Sequence, residues 1–203
     1  MTTNVTEHRF DGKPMARGFV VFAMVIVSVL LLAGPDHAAQ TPALSERQVK
    51  ALFLFNFAKY VDWPASAFSN STAAIVIDVV GEDGLSEEFK QVTGDKTVNG
   101  RRVVVKQVEG TMDVKDCQIL FICASEKAHL QEILEAVKNS AVLTVGESDQ
   151  FLTMEGMINF TKKENKIHLE INLAPAQRAN LKLSSKLLTV ADVVLGRPEG
   201  KKD

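Results

Sequence analysis

The sequence predicts an α/β fold: a mostly parallel sheet with an antiparallel edge hairpin and helices on both faces, a Rossmann-like three-layer sandwich. Three observations carry this. Short β-branched apolar runs alternate with segments of helical periodicity, the pattern of parallel strands joined by helical crossovers. Two later segments, "MINFT" and "KIHLEINL", flank "KKEN" and read as an antiparallel hairpin. The chain has 203 residues; with a leader set aside, the remainder suits one domain with enough length to bury a core.

Residues 1–39 read as that leader. Arg9, Lys13 and Arg17 precede an apolar run from Phe19 to Ala33, and small residues follow in "GPDHAAQ". The run is shorter than the roughly 20 residues of a membrane span, so a signal peptide is expected, with an N-terminal anchor as the other option. Either one places the rest of the chain outside the cytoplasm. Residues 40–46 read as a linker, 47–197 as a single α/β domain and 198–203 as a tail.

The first helix opens at Ser45, with Gln48 three residues on as a capping box. It is expected to end near Trp63, because the residue before Pro64 is pushed out of helical geometry. "AAIVIDVVG" (73–81) is a buried strand and "LSEEFKQV" (85–92) a short helix. "RRVVVKQVE" (101–109) and "QILFICA" (118–124) are further strands. "SEKAHLQEILEAVKN" (125–139) is a helix with its stripe at Leu130, Ile133, Leu134 and Val137. "AVLTVG" (141–146) is a strand. "SDQFLTMEG" (148–156) reads as a helix capped by Ser148 and closed by Gly156. In the second hairpin strand Ile167, Leu169, Ile171 and Leu173 alternate with Lys166, His168, Glu170 and Asn172, so one face is core. A last helix is capped at Ser184, with Leu187, Leu188, Ala191, Val194 and Leu195 as its stripe.

Charge and motifs exclude several function classes. Lys and Arg total 23 against 25 Asp and Glu, for a net charge of −2. No basic excess points to nucleic acid. Cys117 and Cys123 flank the strand "QILFI". Six extended residues span roughly 20 Å, whereas a disulfide needs Cα atoms within about 7 Å. No disulfide within the chain is therefore expected, and an intermolecular bond through Cys117 stays open. The cysteines lack metal-site spacing, and His129 and His168 are not arranged around them, so no metal and no cofactor is expected.

Ligands of such sheets gather beyond the carboxyl ends of the strands. Three turns are placed to meet there: "GEDG" (81–84), "CASE" (123–126) and "GESD" (146–149). The glycine spacing fits no phosphate loop. Glu82, Asp83, Glu126, Glu147 and Asp149 are hard-oxygen donors for a cation. Equally, acidic residues and Ser125 and Ser148 suit helix N-termini. No nucleophile elbow or zinc-protease motif is present. His129 and His168 read as surface or boundary histidines, and no catalytic residue is assigned.

The first helix is the most informative segment. Val49, Leu52, Phe53, Asn56, Phe57 and Tyr60 form one stripe, and Ala51, Leu54, Phe55, Ala58 and Val61 cover much of the rest. A helix that is apolar all round must be covered all round. The sheet supplies one cover; the last helix, a second protomer or another protein supplies the other. The face with Asn56 is expected in the core. The face carrying Leu54, Phe55 and Ala58 is expected to bind a partner.

Four segments, "VKALFLFNFAKYVDWP", "DCQILFI", "VLTVGESDQF" and "GMINFTKKENKIHLEINLAPAQRANLKLSSKLL", resemble the YfiR family of periplasmic regulators. The resemblance implies an α/β fold, no enzymatic activity and a periplasmic location. It implies inhibition of an inner-membrane diguanylate cyclase through its periplasmic part, release by an outer-membrane lipoprotein, and a capacity to form homodimers. The family namesake carries intrachain disulfides, and this chain departs from it there. The expected function is thus a periplasmic regulator that binds and inhibits a membrane-bound signalling protein, a diguanylate cyclase controlling cyclic di-GMP and hence biofilm formation. The alternative is a periplasmic small-ligand or sensor domain without a cyclase partner.

Overall fold

The computed structural model describes residues 44–81, 84–108, 114 and 116–196. The leader, most of the linker, the tail, Glu82 and Asp83 lie outside the described residues. In chain order the elements are α1 (Glu46–Tyr60), β1 (Val61–Asp62), β2 (Ile75–Val80), α2 (Leu85–Thr93), β3 (Thr97–Val98), β4 (Arg101–Val108) and β5 (Ile119–Ile122). They continue as α3 (Leu130–Val137), β6 (Leu143–Gly146), β7 (Ile158–Lys163), β8 (Lys166–Asn172), α4 (Leu173–Arg178), β9 (Lys182–Leu183), α5 (Ser185–Thr189) and β10 (Val193–Leu195).

Eight strands form one sheet in the order β10-β8-β7-β6-β5-β2-β4-β3. The centre from β4 to β7 is parallel. The β7–β8 hairpin is antiparallel, closed by Glu164 and Asn165 with φ of 50° and 59°. Two consecutive left-handed residues make the two-residue turn whose twist matches its strands. The fold class is as the sequence predicts.

Alternation along the strands divides the core into two layers. Ile75, Ile77 and Val79 of β2, Ile119 and Phe121 of β5, and Leu143 and Val145 of β6 face α1 and α2. Val80, Leu120, Ile122 and Val142 face α3, whose Leu130, Ile133, Leu134 and Val137 are buried as the stripe predicts. That helix is shorter than expected, and residues 124–126 form a separate 3-10 turn.

Two expected elements differ, and one element was not expected. Residues 148–156 make successive turns rather than a helix. Glu155, not Gly156, takes the left-handed conformation, with φ of 67°. Gly156 serves sterically instead: a Cβ there, or at Gly146, would lie 2.2 Å from the Phe151 ring. The two glycines clasp a fully buried Phe151.

The last helix is only α5. Ser184 caps it, its hydroxyl accepting from the Lys186 N–H at 3.1 Å. The residues beyond Ala191 then turn into β10, parallel to β8. Finally, a β3–β4 hairpin closes over Asn99 and Gly100, with φ of 51° and 77°. This is the Asn-Gly type of turn, and the sequence reading passed over it.

The capping box of α1 forms in both directions, Ser45 Oγ accepting from Gln48 N–H and Gln48 Oε1 from Ser45 N–H. The helix stops at Tyr60, where β1 pairs with β9 and the Ser184 N–H bonds to the Tyr60 carbonyl at 2.9 Å. Trp63 donates its indole N–H to the Gln118 carbonyl at 3.1 Å. The "DWP" segment thus fastens the helix exit to the amino end of β5.

Candidate functional site

The registers Val80↔Ile122 and Ile122↔Gly146 align the carboxyl ends of β2, β5 and β6. Described residues of the three turns meet here, Gly81 beside Ser125 and Glu147 on the Ala124 N–H. Strand order reverses between β2 and β5, the usual place for a ligand crevice in such sheets. Here Gly81 packs closely on the turn that follows β5. Gly81 has φ of 94°, and a Cβ on it would meet Ser125 Oγ at 2.4 Å and Cys123 Cβ at 2.9 Å. The Gln107 side-chain amide donates to the Gly81 carbonyl beside it.

Beside this contact the first turns of α1 bring charge onto the strand ends. The Lys50 ammonium lies 2.5 Å from Glu147 Oε2 and 3.0 Å from Glu46 Oε1. Glu147 Oε1 accepts the Ala124 N–H at 2.9 Å, and Glu46 Oε2 pairs with Lys162 at 2.9 Å. Lys50 is only 6% exposed. The pair of Glu46 and Lys50, four apart on one face, was the available signal. Hydrogen bonding to Lys162 first, and to Lys50 second, holds the Glu46 carboxyl below its ordinary range. A cavity of about 480 Å³ adjoins the network, with Phe160, Thr161 and Ile167 in its wall.

The described acidic residues of the turns, Glu126, Glu147 and Asp149, do not converge on one point. Glu147 is committed to Lys50, Glu126 pairs with His129 at 3.2 Å, and Asp149 is exposed. Among the described residues no group of His, Cys, Asp or Glu could hold a metal ion. Ser148 caps no helix, and its hydroxyl is buried with no hydrogen-bond partner among the described residues. His168 bonds to Asp192 at 2.8 Å, which fixes the chain entering β10. Cys117 and Cys123 are buried on either side of β5. Burial, and then the nearby Asp78 carboxylate, push the Cys117 thiol well above its ordinary range, so it is a poor nucleophile.

On α1 the expected faces are exchanged. Leu54 and Ala58 are in the core, with Ala51 and Phe57. They are therefore not a docking face of this chain. Phe55 is half-buried against Phe89 of α2, ring centroids 6.3 Å apart. Phe53 packs on the other flank against Phe160, at 5.9 Å. Helical geometry then turns Leu52, Asn56 and Lys59 away from the sheet. Leu52 and Asn56 are half-exposed and Lys59 is exposed. Asn56 is on this outer side and not in the core. The cover expected from a long last helix comes instead from α2, with Leu187 of α5 joining the same core.

A YfiR/HmsC-like family model matches residues 47–192. No curated protein matches the chain. A crystal structure of a conserved domain protein from Vibrio cholerae O1 biovar El Tor matches with a TM-score of 0.51 at 12% identity. The match covers 74% of this chain and 60% of that one. At that identity the likeness concerns the fold alone. Among the described residues no helix is long and apolar enough to cross a membrane.

Proposed function

Because this chain belongs to the YfiR/HmsC-like family, we propose that it is a periplasmic regulatory protein, exported by its leader, that binds and inhibits a membrane-bound signalling protein. A diguanylate cyclase is the partner that fits the family reading, with cyclic di-GMP as the output and an outer-membrane lipoprotein as the releasing factor. The family match over residues 47–192 carries the proposal. Two features of the site support it. The close approach of Gly81 to Ser125 narrows the switch-point crevice. The outer side of α1 keeps Leu52 and Asn56 half-exposed and Lys59 exposed on a capped helix, a surface suited to a protein contact.

The test pairs a cellular and a binding measurement. Deleting the protein should raise cyclic di-GMP, and the exported chain should co-purify with the periplasmic part of a membrane cyclase. Leu52→Glu should weaken that binding while leaving the melting temperature nearly unchanged, because the side chain faces outward. Unchanged cyclic di-GMP together with a co-purified small molecule would replace this proposal with the ligand-binding alternative.

A further inference from the structure

The outer edge of β4 is a long stretch of open backbone. On its inner side β4 pairs with β2 from Val103 to Val108. On its outer side β3 reaches only Arg101 and Arg102. Val103 to Val108 therefore end the ladder with no outer neighbour among the described residues. Such an edge is a template for another strand unless it is blunted. A groove of about 400 Å³ runs beside it, between α2 and β4. Phe89, Val103 and Val105 supply apolar wall, and Lys90, Lys96 and Arg102 stand around it against one acid, Asp95. These three cations are exposed.

We propose that this edge accepts an extended, acidic segment of a partner protein as an added strand. Main-chain bonds to Val103–Val108 supply affinity, and the groove selects alternate side chains. Apolar side chains of the segment sit over Phe89, Val103 and Val105. Carboxylates face Lys90, Lys96 and Arg102. The charge decides between occupants: two copies joined through this edge would bring one cationic rim against another, and like charges held close disfavour pairing. The inference stands apart from the regulatory reading, since it names a surface and a chemistry rather than an output.

The test uses the exported chain and two octapeptides, one alternating Val with Glu and one alternating Val with Lys. Amide hydrogen exchange reports where each binds. The Val/Glu peptide should slow exchange across Val103–Val108 and bind at least about tenfold more tightly than the Val/Lys peptide. The difference should shrink as salt is added. Lys96→Glu combined with Arg102→Glu should invert the preference, with circular dichroism confirming the fold. If that variant does not fold, the peptide comparison on the unaltered chain decides alone. Equal affinity for both peptides, or protection confined to β10, overturns the proposal. So does protection of Val103–Val108 that grows with protein concentration in the absence of peptide, which would make a second copy the occupant.

Discussion

The Lys50 ammonium sits 2.5 Å from the Glu147 carboxylate, tying the first turns of α1 to the end of β6 across 97 positions of sequence. Glu147 in turn accepts the Ala124 N–H, so one carboxylate holds a helix and two strand ends. Removing one partner of a buried pair typically costs about 3–5 kcal/mol, because the other charge stays desolvated. Glu147→Gln should fall at the low end, since Glu46 still reaches Lys50 at 3.0 Å. Lys50→Met combined with Glu147→Gln should cost less than Glu147→Gln alone. Urea denaturation of the single and double variants measures this.

Stability should fall in acid in a way that traces to Glu46 and Asp192. Both carboxyls sit below their ordinary values, Glu46 chiefly through Lys162 and Asp192 chiefly through His168. A lowered folded pKa means that the contribution is complete above the unfolded value, near pH 4. It is lost as pH drops through the lower folded value. Melting temperature followed from pH 6 to pH 2 should show this decline. Glu46→Gln and Asp192→Asn should each flatten part of it.

Gly146→Ala and Gly156→Ala should each destabilise, because the new methyl meets the Phe151 ring at 2.2 Å. Overpacking of this kind typically costs about 1–3 kcal/mol. Phe151→Leu alone should also destabilise by loss of packing. Combined with either alanine it should cost less than the sum, the signature of direct contact. Additive costs in a double-mutant cycle would contradict the clasp.

Gln118 is 5% exposed and bridges separate segments. Its Oε1 accepts the Val76 N–H at 2.8 Å, and its Nε2 donates to the Ala67 carbonyl at 2.7 Å. Gln118→Leu leaves both half-buried backbone groups without their partner, at about 1 kcal/mol for each lost hydrogen bond. The single tryptophan, Trp63, bonds to the carbonyl of the same residue. Its fluorescence should therefore shift in the variant. An unchanged spectrum would mean that the indole is not coupled to this residue.

Leu187→Ala should cost about 2–5 kcal/mol, as for other buried leucines. Leu187 is 3% exposed and joins the core around α1, whereas Leu188 is only half-buried. Leu188→Ala should cost clearly less in the same denaturation series.

The sequence was most informative where a local rule acts alone. The Ser45–Gln48 box, the stripe of α3 and the alternation of β8 each follow from neighbours in sequence, and each forms. It misled where two periodicities overlap. Along α1 nearly every position is apolar, so no stripe stands out, and the buried side was assigned to Asn56 instead of Leu54. After Thr189, Ala191, Val194 and Leu195 fit a helical stripe, yet the three residues of β10 gain ladder bonds from β8 that no local pattern displays. The charge network was invisible for a related reason, since Lys50 and Glu147 meet only once the sheet has aligned its strand ends. The Asn99-Gly100 turn was a local signal, but it was masked by reading the strand only from Arg101.

The parallel seating of β10 on β8 also bears on the order in which the chain can fold. A polypeptide delivered N-terminus first presents β7 and β8 before residues 193–195 are available. The free margin of β8 then waits through α4, β9 and α5 until residues 193–195 arrive. During that interval Glu170, Ile171 and Asn172 lack the neighbours that later cover them. Completion of this margin thus falls at the end of delivery, when the residues around Asp192 reach it.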